Sequence, residues 1–284
     1  MFAAGTPLAP RRDGDRLRGP GIGDDALAAA ALVDLARRLR AAPPARPVVL
    51  AATVGEEGLG DLRGARAVLD AVPCDAFVAL EGHGLEAIQT AGIASARLRA
   101  TATGPGGHSW GDRGTPSAVH ALVEALDDAL AAAAPGHVNV GVVRGGTSIN
   151  TIAARAEAEI DLRDADDAAL DRRRDAVEAA LRRHGVAVER VGRRPGGATP
   201  ADHPLVAAAR AARAAAGLPG AAETASSTDA NAAMGRGIPA VCVSLTHGEG
   251  AHTVDEQVEL APLPAGLAAV EALTDALAAG LSAG

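Results

Sequence analysis

The feature that most constrains the fold of this chain is a set of short apolar runs that each stop abruptly at a turn. One run, VVLAATV at Val48–Val54, contains a single polar residue, Thr53, and stops at Gly55. A second run, DAFVAL at Asp75–Leu80, comes after a helical stretch near residues 62–69. Continuous apolar runs that alternate with helices are typical of parallel strands covered on both faces. The pattern therefore predicts an α/β fold with a mostly parallel sheet flanked by helices.

Further elements of the same kind lie at both ends of the chain. Residues Ala26–Arg40 (ALAAAALVDLARRLR) predict a helix with Asp24 or Asp25 at its N-cap. Near the C-terminus, an Ala-rich helix precedes the apolar run IPAVCVSL at Ile238–Leu245, and a last helix is predicted near Pro262–Ala279. The two ends of the chain are therefore expected to build one domain together.

The middle of the chain has a different pattern, in which apolar and polar residues alternate as in half-exposed strands. Four strands and two helices are predicted in the order βαββαβ, which is the ferredoxin-like plan. The strands are Arg97–Thr103, His137–Val143, Ala153–Arg163 and Val186–Val191, and the helices are Pro116–Ala134 and Asp166–His184. We expect an inserted domain at residues 95–196, between the two parts of the first domain at 1–94 and 197–284.

Composition excludes several classes of function. A net charge of -8 disfavours a nucleic-acid partner, and one Trp, two Phe and no Tyr leave little for bases to stack on. No apolar run approaches the roughly 18 residues needed to cross a bilayer, so no membrane partner is expected. The opening lacks the pattern of a secretory signal, which predicts a cytoplasmic location. The cysteines, Cys74 and Cys242, indicate neither a disulfide framework nor a thiolate zinc site.

Acidic residues and histidines follow the predicted strands of the first domain, and ligand sites in open α/β sheets form beyond the carboxyl ends of strands. Carboxylates and neutral imidazoles together are ligands that suit zinc. Each residue taken alone has an ordinary explanation, such as a helix cap or a charged loop, and the combination is what favours a metal site. The residues are Asp24, Asp25, Glu56, Glu57, Glu81, His247 and His252.

Eight short motifs occur in the order found in a known enzyme family: GPGIGDD, VGEEGLGD, ALEG, GPGGHSW, GGTSIN, DLR, STDAN and AHTVDE. From Gly19 to about Leu260, the chain resembles the co-catalytic zinc aminoacylase/carboxypeptidase family, which includes glutamate carboxypeptidase, peptidase T, acetylornithine deacetylase and succinyl-diaminopimelate desuccinylase. The resemblance implies a zinc-peptidase-like α/β domain with an inserted ferredoxin-like lid and dimerisation domain. It also implies a homodimer that forms through the lid.

The resemblance assigns a role to each residue of the expected metal site. Asp24 would bridge two zinc ions, Glu57 would bind one of them and Glu81 the other, and His252 would complete the second metal's shell. Glu56 would be the general base that acts on a metal-bridging hydroxide. Cobalt or manganese are alternatives to zinc. The two adjacent glutamates would thus divide metal binding and proton transfer between them.

The resemblance also assigns residues of the inserted domain to the site. His108 in GPGGHSW would stabilise the oxyanion, and Asn150 with Arg163 would grip a free carboxylate of the substrate. The turn Gly145–Gly146 would let the backbone approach the ligand closely. The expected reaction is cleavage of an amide bond in a small peptide or an N-acyl amino acid.

Three alternatives remain beside this hypothesis. His247 competes with His252 as a ligand, although only His252 is followed four residues later by Glu256.

The family's upstream His-x-Asp motif, which supplies the remaining zinc ligand, has no match. We hypothesise that the start codon was assigned at an internal GTG, so that Met1 replaces a valine of that motif. Otherwise a non-catalytic or inactive metal- or peptide-binding member of the fold is the alternative function. An α/β serine hydrolase is not favoured, because no G-x-S-x-G elbow is expected in the chain.

Overall fold

The computed structural model describes residues 5–280, so the hypothesis about Met1 lies outside the described part. The chain divides into two compact units. The first is built from residues up to 56, from 62–92 and from 198 onward, and the second from 57–61 and 93–197. None of the helices within residues 5–280 combines the length and apolar character needed to cross a lipid bilayer.

The described residues form seven α-helices and fifteen strands, and several of these elements are very short. The helices are α1 Leu27–Ala41, α2 Arg63–Ala71, α3 Ala118–Ala132, α4 Asp167–Arg183, α5 Pro204–Ala215, α6 Ala230–Met234 and α7 Leu263–Ala279. The first eight strands are β1 Arg11–Asp13, β2 Arg16–Arg18, β3 Phe77–His83, β4 Ala87–Gly92, β5 Ala94–Thr103, β6 Gly107–His108, β7 His137–Gly145 and β8 Thr151–Ile152. The others are β9 Arg155–Asp164, β10 Ala187–Arg194, β11 Gly197–Ala198, β12 Ala222–Ser226, β13 Ala240–Thr246, β14 Gly248–Glu249 and β15 Gln257–Glu259.

Strand β13 is the centre of the first unit, and all seven of its residues are buried. It runs parallel to β3, with Ala240 opposite Phe77 and Thr246 opposite His83, and β12 runs parallel to β4. Val241, Val243 and Leu245 pack with α1, α5 and α7, whereas Ala240 and Cys242 pack with α2 and α6. Because successive side chains point to opposite faces, a strand with helices on both sides reads as one continuous apolar run. The predicted α/β class is confirmed.

A small antiparallel sheet in the first unit was not predicted from the sequence. Its strand order is β1-β2-β15-β14. The pairing of β2 with β15 places Leu17 opposite Val258, so the chain just before Gly19 lies against the segment after His252. This small sheet therefore brings together two segments from opposite ends of the sequence, one next to Asp24 and the other next to His252.

The second unit has the predicted ferredoxin-like plan. Strands β5, β7, β9 and β10 form an antiparallel sheet in the order β10-β5-β9-β7. Leu98, Ile160 and Leu162 of the sheet share one buried cluster with Leu122 of α3 and Leu181 of α4. The elements follow one another as βαββαβ, and this part of the fold prediction is also confirmed.

Three local predictions were wrong. Residues 48–54 form no strand, because within the described chain this segment has no ladder partner, and Val49 and Val54 are exposed. Asp24 and Asp25 do not cap α1: its N-cap is Ala26, with no side-chain cap bond. Glu81 lies inside β3 rather than after it. Apolar content signals burial, but strand pairing depends on a neighbour that the local sequence does not specify.

Candidate active site

Three of the four predicted metal ligands lie close together. Asp24, Glu57 and His252 each offer one ligand atom, and these atoms lie within 4.8 Å of one another. Within this group, His252 Nε2 and Asp24 Oδ2 are 2.8 Å apart. Two carboxylates and one imidazole at such spacing form a ligand set that suits zinc.

The fourth predicted ligand, Glu81, belongs to the same cluster of charges. Burial, together with the negative charges of Asp25, Asp24, Glu56 and Asp229, raises the pKa of Glu81 from 4.5 to about 9. A carboxyl group whose pKa lies this far above its usual value is protonated at neutral pH unless a cation compensates the charge. Glu81 therefore lies within electrostatic reach of the other acidic residues.

Asp25 is also a member of this cluster, although it was not among the predicted metal ligands. Burial and the charge of Asp24 raise the pKa of Asp25 from 3.8 to about 8, although the backbone N–H of Gly82 donates a hydrogen bond that lowers it. Asp25 and Glu81 thus both have raised pKa values, for the same physical reason. The site is a collection of acidic groups with too little positive charge, and bound divalent cations would supply what is missing.

Asp229 is a second acidic residue that the sequence analysis did not single out. It lies in the STDAN motif, just before helix α6, and its Oδ2 accepts a hydrogen bond of 2.6 Å from the Thr53 hydroxyl. Its charge contributes to the raised pKa values of both Asp25 and Glu81. The available signal was the STDAN motif itself, which places this carboxylate in a polar turn.

Two glycines let the segment that carries Asp24 approach strand β3. A Cβ atom on Gly82 would lie 2.1 Å from the backbone oxygen of Gly23. A Cβ atom on Gly23 would lie 2.6 Å from Cδ2 of His83. Any side chain at either position would therefore push the segment away from Glu81, which immediately precedes Gly82 in β3.

His108 lies in the second unit, where its hydrogen bonds define its tautomer. The Nδ1 atom of His108 accepts hydrogen bonds from the backbone N–H groups of Trp110 and Gly111, both at 3.2 Å. A neutral imidazole that accepts at Nδ1 carries its proton at Nε2. His108 therefore presents an N–H donor, which is the form an oxyanion requires.

Of the predicted substrate-binding residues, Asn150 lies just before β8 and five residues ahead of β9, whereas Arg163 lies near the C-terminal end of β9. Asn150 is next to His108, because its backbone oxygen accepts from Ser109 N–H and β6 pairs with β8. Arg163 is near the far end of β9, opposite Ser95 and His137, and its Nε donates to Asp161 at 2.8 Å. At about 3.3 Å per residue, the length of β9 keeps the two side chains well apart within one copy of the chain.

Packing explains the glycine at position 145, and backbone conformation explains the glycine at position 146. A Cβ atom on Gly145 would lie 2.8 Å from the Ala156 side chain and 2.9 Å from that of Val119. Gly146 has a φ of +72°, which disfavours any residue with a side chain. Both glycines are thus explained by contacts within the second unit, and their predicted role in substrate binding stays a prediction.

The alternative ligand His247 lies elsewhere among the described residues. Its Nδ1 atom is 3.1 Å from Oε2 of Glu86. It is not part of the Asp24, Glu57 and His252 group. The geometry therefore favours His252.

The stretch GHSWG at Gly107–Gly111 matches the spacing G-x-S-x-G, which the sequence analysis overlooked. In α/β-hydrolases this motif forms a sharp turn between a strand and a helix that exposes the serine. Here Gly107 and His108 form the two-residue strand β6, and Ser109 N–H donates to the backbone oxygen of Asn150. The structural context of a nucleophile elbow is absent from this described stretch, so the spacing carries no serine-hydrolase function.

The fold and the acidic site together define the class of this protein, a metal-dependent peptide or amide hydrolase. Residues 3–276 match the model of peptidase family M20/M25/M40, and the chain belongs to that family. The family membership confirms the resemblance to metallopeptidases and amidohydrolases described above. No curated protein matches the sequence.

Solved structures with the same fold include several peptidases. Aminopeptidase PepT from Bacillus cereus ATCC 10987 is 21% identical, covering 98% of this chain and 78% of its own, with a TM-score of 0.69. A tripeptidase from Staphylococcus aureus subsp. aureus Mu50 is 19% identical over 96% and 77% of the two chains, with a TM-score of 0.71. The dipeptidase Dug1p from Saccharomyces cerevisiae is 11% identical over 96% and 75%, with a TM-score of 0.70. At these identities the likeness concerns the fold.

Proposed function

We propose that this protein is a zinc-dependent hydrolase that cleaves an amide bond in a small peptide or an N-acyl amino acid. The observation that carries the proposal is the convergence of Asp24, Glu57 and His252 within 4.8 Å. The solved structures of similar fold are named as an aminopeptidase, a tripeptidase and a dipeptidase, which agrees with a peptide substrate.

The donor set of the site fits a pair of zinc ions. Asp24 would bridge them, Glu57 and Glu81 would each bind one, and His252 would complete the coordination of the second ion. The raised pKa values of Asp25 and Glu81 support this assignment, because they reveal negative charge that the protein alone leaves uncompensated. When bound, zinc supplies Lewis acidity that polarises the scissile carbonyl and lowers the pKa of water.

Glu56 is the proposed general base. It adjoins the proposed ligand Glu57, and its charge contributes to the raised pKa values of Asp25 and Glu81, so it lies within electrostatic range of both carboxyl groups. Its carboxylate would take a proton from the attacking water and pass it to the departing amine. His108 would donate its Nε2 proton in a hydrogen bond to the developing oxyanion.

The second unit is proposed to be the lid and the dimerisation domain of a homodimer. His108, Asn150 and Arg163 are its proposed contributions to the substrate site. If Asn150 and Arg163 bind the same substrate carboxylate, as their motifs imply, the length of β9 requires that they come from two copies of the chain. A planar guanidinium is suited to grip that carboxylate with two hydrogen bonds.

The test is a measurement of metal content and hydrolysis with the purified chain. We expect two zinc ions per chain by elemental analysis, and hydrolysis of at least one member of a panel of di- and tripeptides and N-acetyl amino acids. A chelator should abolish the activity and added zinc should restore it. Protein that binds no metal, or hydrolysis that survives complete metal removal, would contradict the proposal. A chain that binds zinc and peptides without turnover would favour the non-catalytic alternative.

A further inference from the structure

Glu256 is completely buried, with a relative exposure of 0%, although it is an acidic residue. Its Oε1 atom accepts hydrogen bonds from the backbone N–H of Gly23 at 2.9 Å and of Asp24 at 2.7 Å. Its Oε2 atom accepts from the N–H of Gly21 at 2.8 Å. Burying a carboxylate is costly unless hydrogen bonds replace its hydration, and these three charge-assisted bonds provide that replacement.

All three donors lie in the four residues that end at Asp24. In addition, the backbone oxygen of Glu256 accepts from the N–H of Gly19 at 2.9 Å. Glu256 is therefore bonded along the whole segment 19–24 by both its side chain and its backbone. Few other conformations of that segment would direct three N–H groups at a single carboxylate.

The segment that carries Glu256 also carries the proposed ligand His252. The imidazole of His252 contacts the Asp24 carboxylate, and Glu256 holds the Asp24 backbone. Two points of one short segment thus fix the side chain and the main chain of the residue proposed to bridge the metals. The Glu256 carboxylate packs so closely against Gly23 that a Cβ atom at position 23 would lie 2.8 Å from Oε1 of Glu256.

We propose that Glu256 is a positioning residue, whose buried carboxylate holds the Gly21–Asp24 backbone so that the Asp24 side chain is presented to the metal ions. This inference rests on the proposed zinc function. It assigns no contact between Glu256 and metal or substrate. Outer partners that orient metal ligands typically contribute 10- to 100-fold to metal affinity, which sets the expected size of the effect at about that range.

The variant Glu256→Gln tests the proposal, because its amide NH2 would face an N–H donor where the carboxylate accepts one. We expect a loss of zinc affinity of about 10- to 100-fold, measured by competition with a chromophoric chelator. The visible spectrum of the cobalt-loaded protein should change as well, since it reports the geometry of the ligands. Glu256→Asp, which keeps the charge, should retain more affinity than Glu256→Ala.

The matched control is Thr199→Val. It replaces with a methyl group the hydroxyl of another buried side chain that hydrogen-bonds to the backbone of the first unit. The Thr199 hydroxyl donates to the backbone oxygen of Ala240 at 2.6 Å and accepts from its N–H at 2.8 Å. This variant should lower the melting temperature without changing zinc affinity or the cobalt spectrum. If Glu256→Gln fails to fold, the comparison is made with Glu256→Asp.

Amide hydrogen exchange of the metal-free protein separates the possible failures. The N–H groups of Gly21, Gly23 and Asp24 should be protected in the wild type and exchange faster in Glu256→Gln. Wild-type protein that binds no zinc would overturn the proposed function and this inference with it. Wild-type zinc affinity and cobalt spectrum in both Glu256→Gln and Glu256→Ala would overturn the positioning role alone.

Discussion

The Nε2 atom of His252 lies 2.8 Å from Oδ2 of Asp24, which joins a residue near the end of the chain to one near its beginning. If Asp24 and His252 bind the same zinc ion, as proposed, the imidazole of His252 must be neutral to act as a ligand. We expect His252→Ala to reduce zinc affinity by more than about 100-fold, beyond the typical cost of losing an outer partner. His247→Ala is the control, because His247 pairs with Glu86 instead. Equal metal loss in both variants would show that the 2.8 Å contact does not identify the ligand.

The neighbouring glutamates Glu56 and Glu57 should differ sharply when each is replaced by glutamine. Glu57→Gln should lose metal, because it removes one of the three clustered ligands. Glu56→Gln should keep both metals and lose about 10²- to 10⁴-fold in kcat, the usual contribution of a general base. Metal content and kcat measured on the same preparations separate the two roles. Loss of metal from Glu56→Gln with retention by Glu57→Gln would reverse the assignment.

The raised pKa of Glu81 makes a prediction about the stability of the metal-free protein. A carboxyl group that titrates near 4.5 when unfolded and about 9 when folded binds more protons in the folded state across that interval. The contribution of Glu81 to the unfolding free energy of the metal-free protein should therefore be greatest below about pH 4.5 and should decrease as the pH rises towards 9. The stabilisation of metal-free Glu81→Gln relative to the wild type should be larger at pH 8 than at pH 5 by about 4 kcal/mol, because each pH unit between the two pKa values contributes about 1.4 kcal/mol.

Chemical denaturation at both pH values measures this effect. Zinc should reverse the order at pH 8, because the ligand must give up its proton to bind the metal and the variant lacks that ligand. Calorimetry of zinc binding in buffers of different ionisation enthalpy should find about two protons released near pH 7, from Asp25 and Glu81. A metal-free stability that rises from pH 5 to pH 8 would contradict the raised pKa values.

The sequence predicted the elements whose pattern is local. Strand β13 reads as a buried strand because its alternate residues pack against helices on two faces, and the inserted domain was recognised from its alternation. Pairing between strands that are distant in the sequence produces no such local pattern. Strand β1 is the charged tripeptide Arg11–Asp13, and β15 is Gln257–Glu259, yet they join one sheet through β2.

The candidate site was predicted through motifs rather than through physical pattern. Asp24, Glu57 and His252 were named from their motifs, and the structure brings them together. Asp25, Asp229 and Glu256 were not assigned roles in the site, because their importance depends on burial and on partners distant in the sequence. A completely buried Glu256 could not be recognised in a loop sequence that reads as exposed.

The positions of Asn150 and Arg163 allow a test of the proposed homodimer. If each substrate site takes Asn150 from one copy and Arg163 from the other, Asn150→Ala and Arg163→Ala should each be inactive as homodimers. Mixed dimers of the two variants would contain one intact site and one site lacking both residues. Random mixing should thus restore about a quarter of wild-type activity, since half of the dimers carry one intact site of two.

The control for this experiment is a mixture of Asn150→Ala with an Asn150→Ala, Arg163→Ala double variant, which contains no intact site in any pairing. Activity would be measured after co-refolding or co-expression with two affinity tags, so that only mixed dimers are isolated. In isolated mixed dimers the expected activity rises to about half of the wild type. Activity no greater than that of the control mixture would mean that one copy supplies both residues, or that they do not share a substrate. The separation of the two residues along β9 makes complementation the expected result.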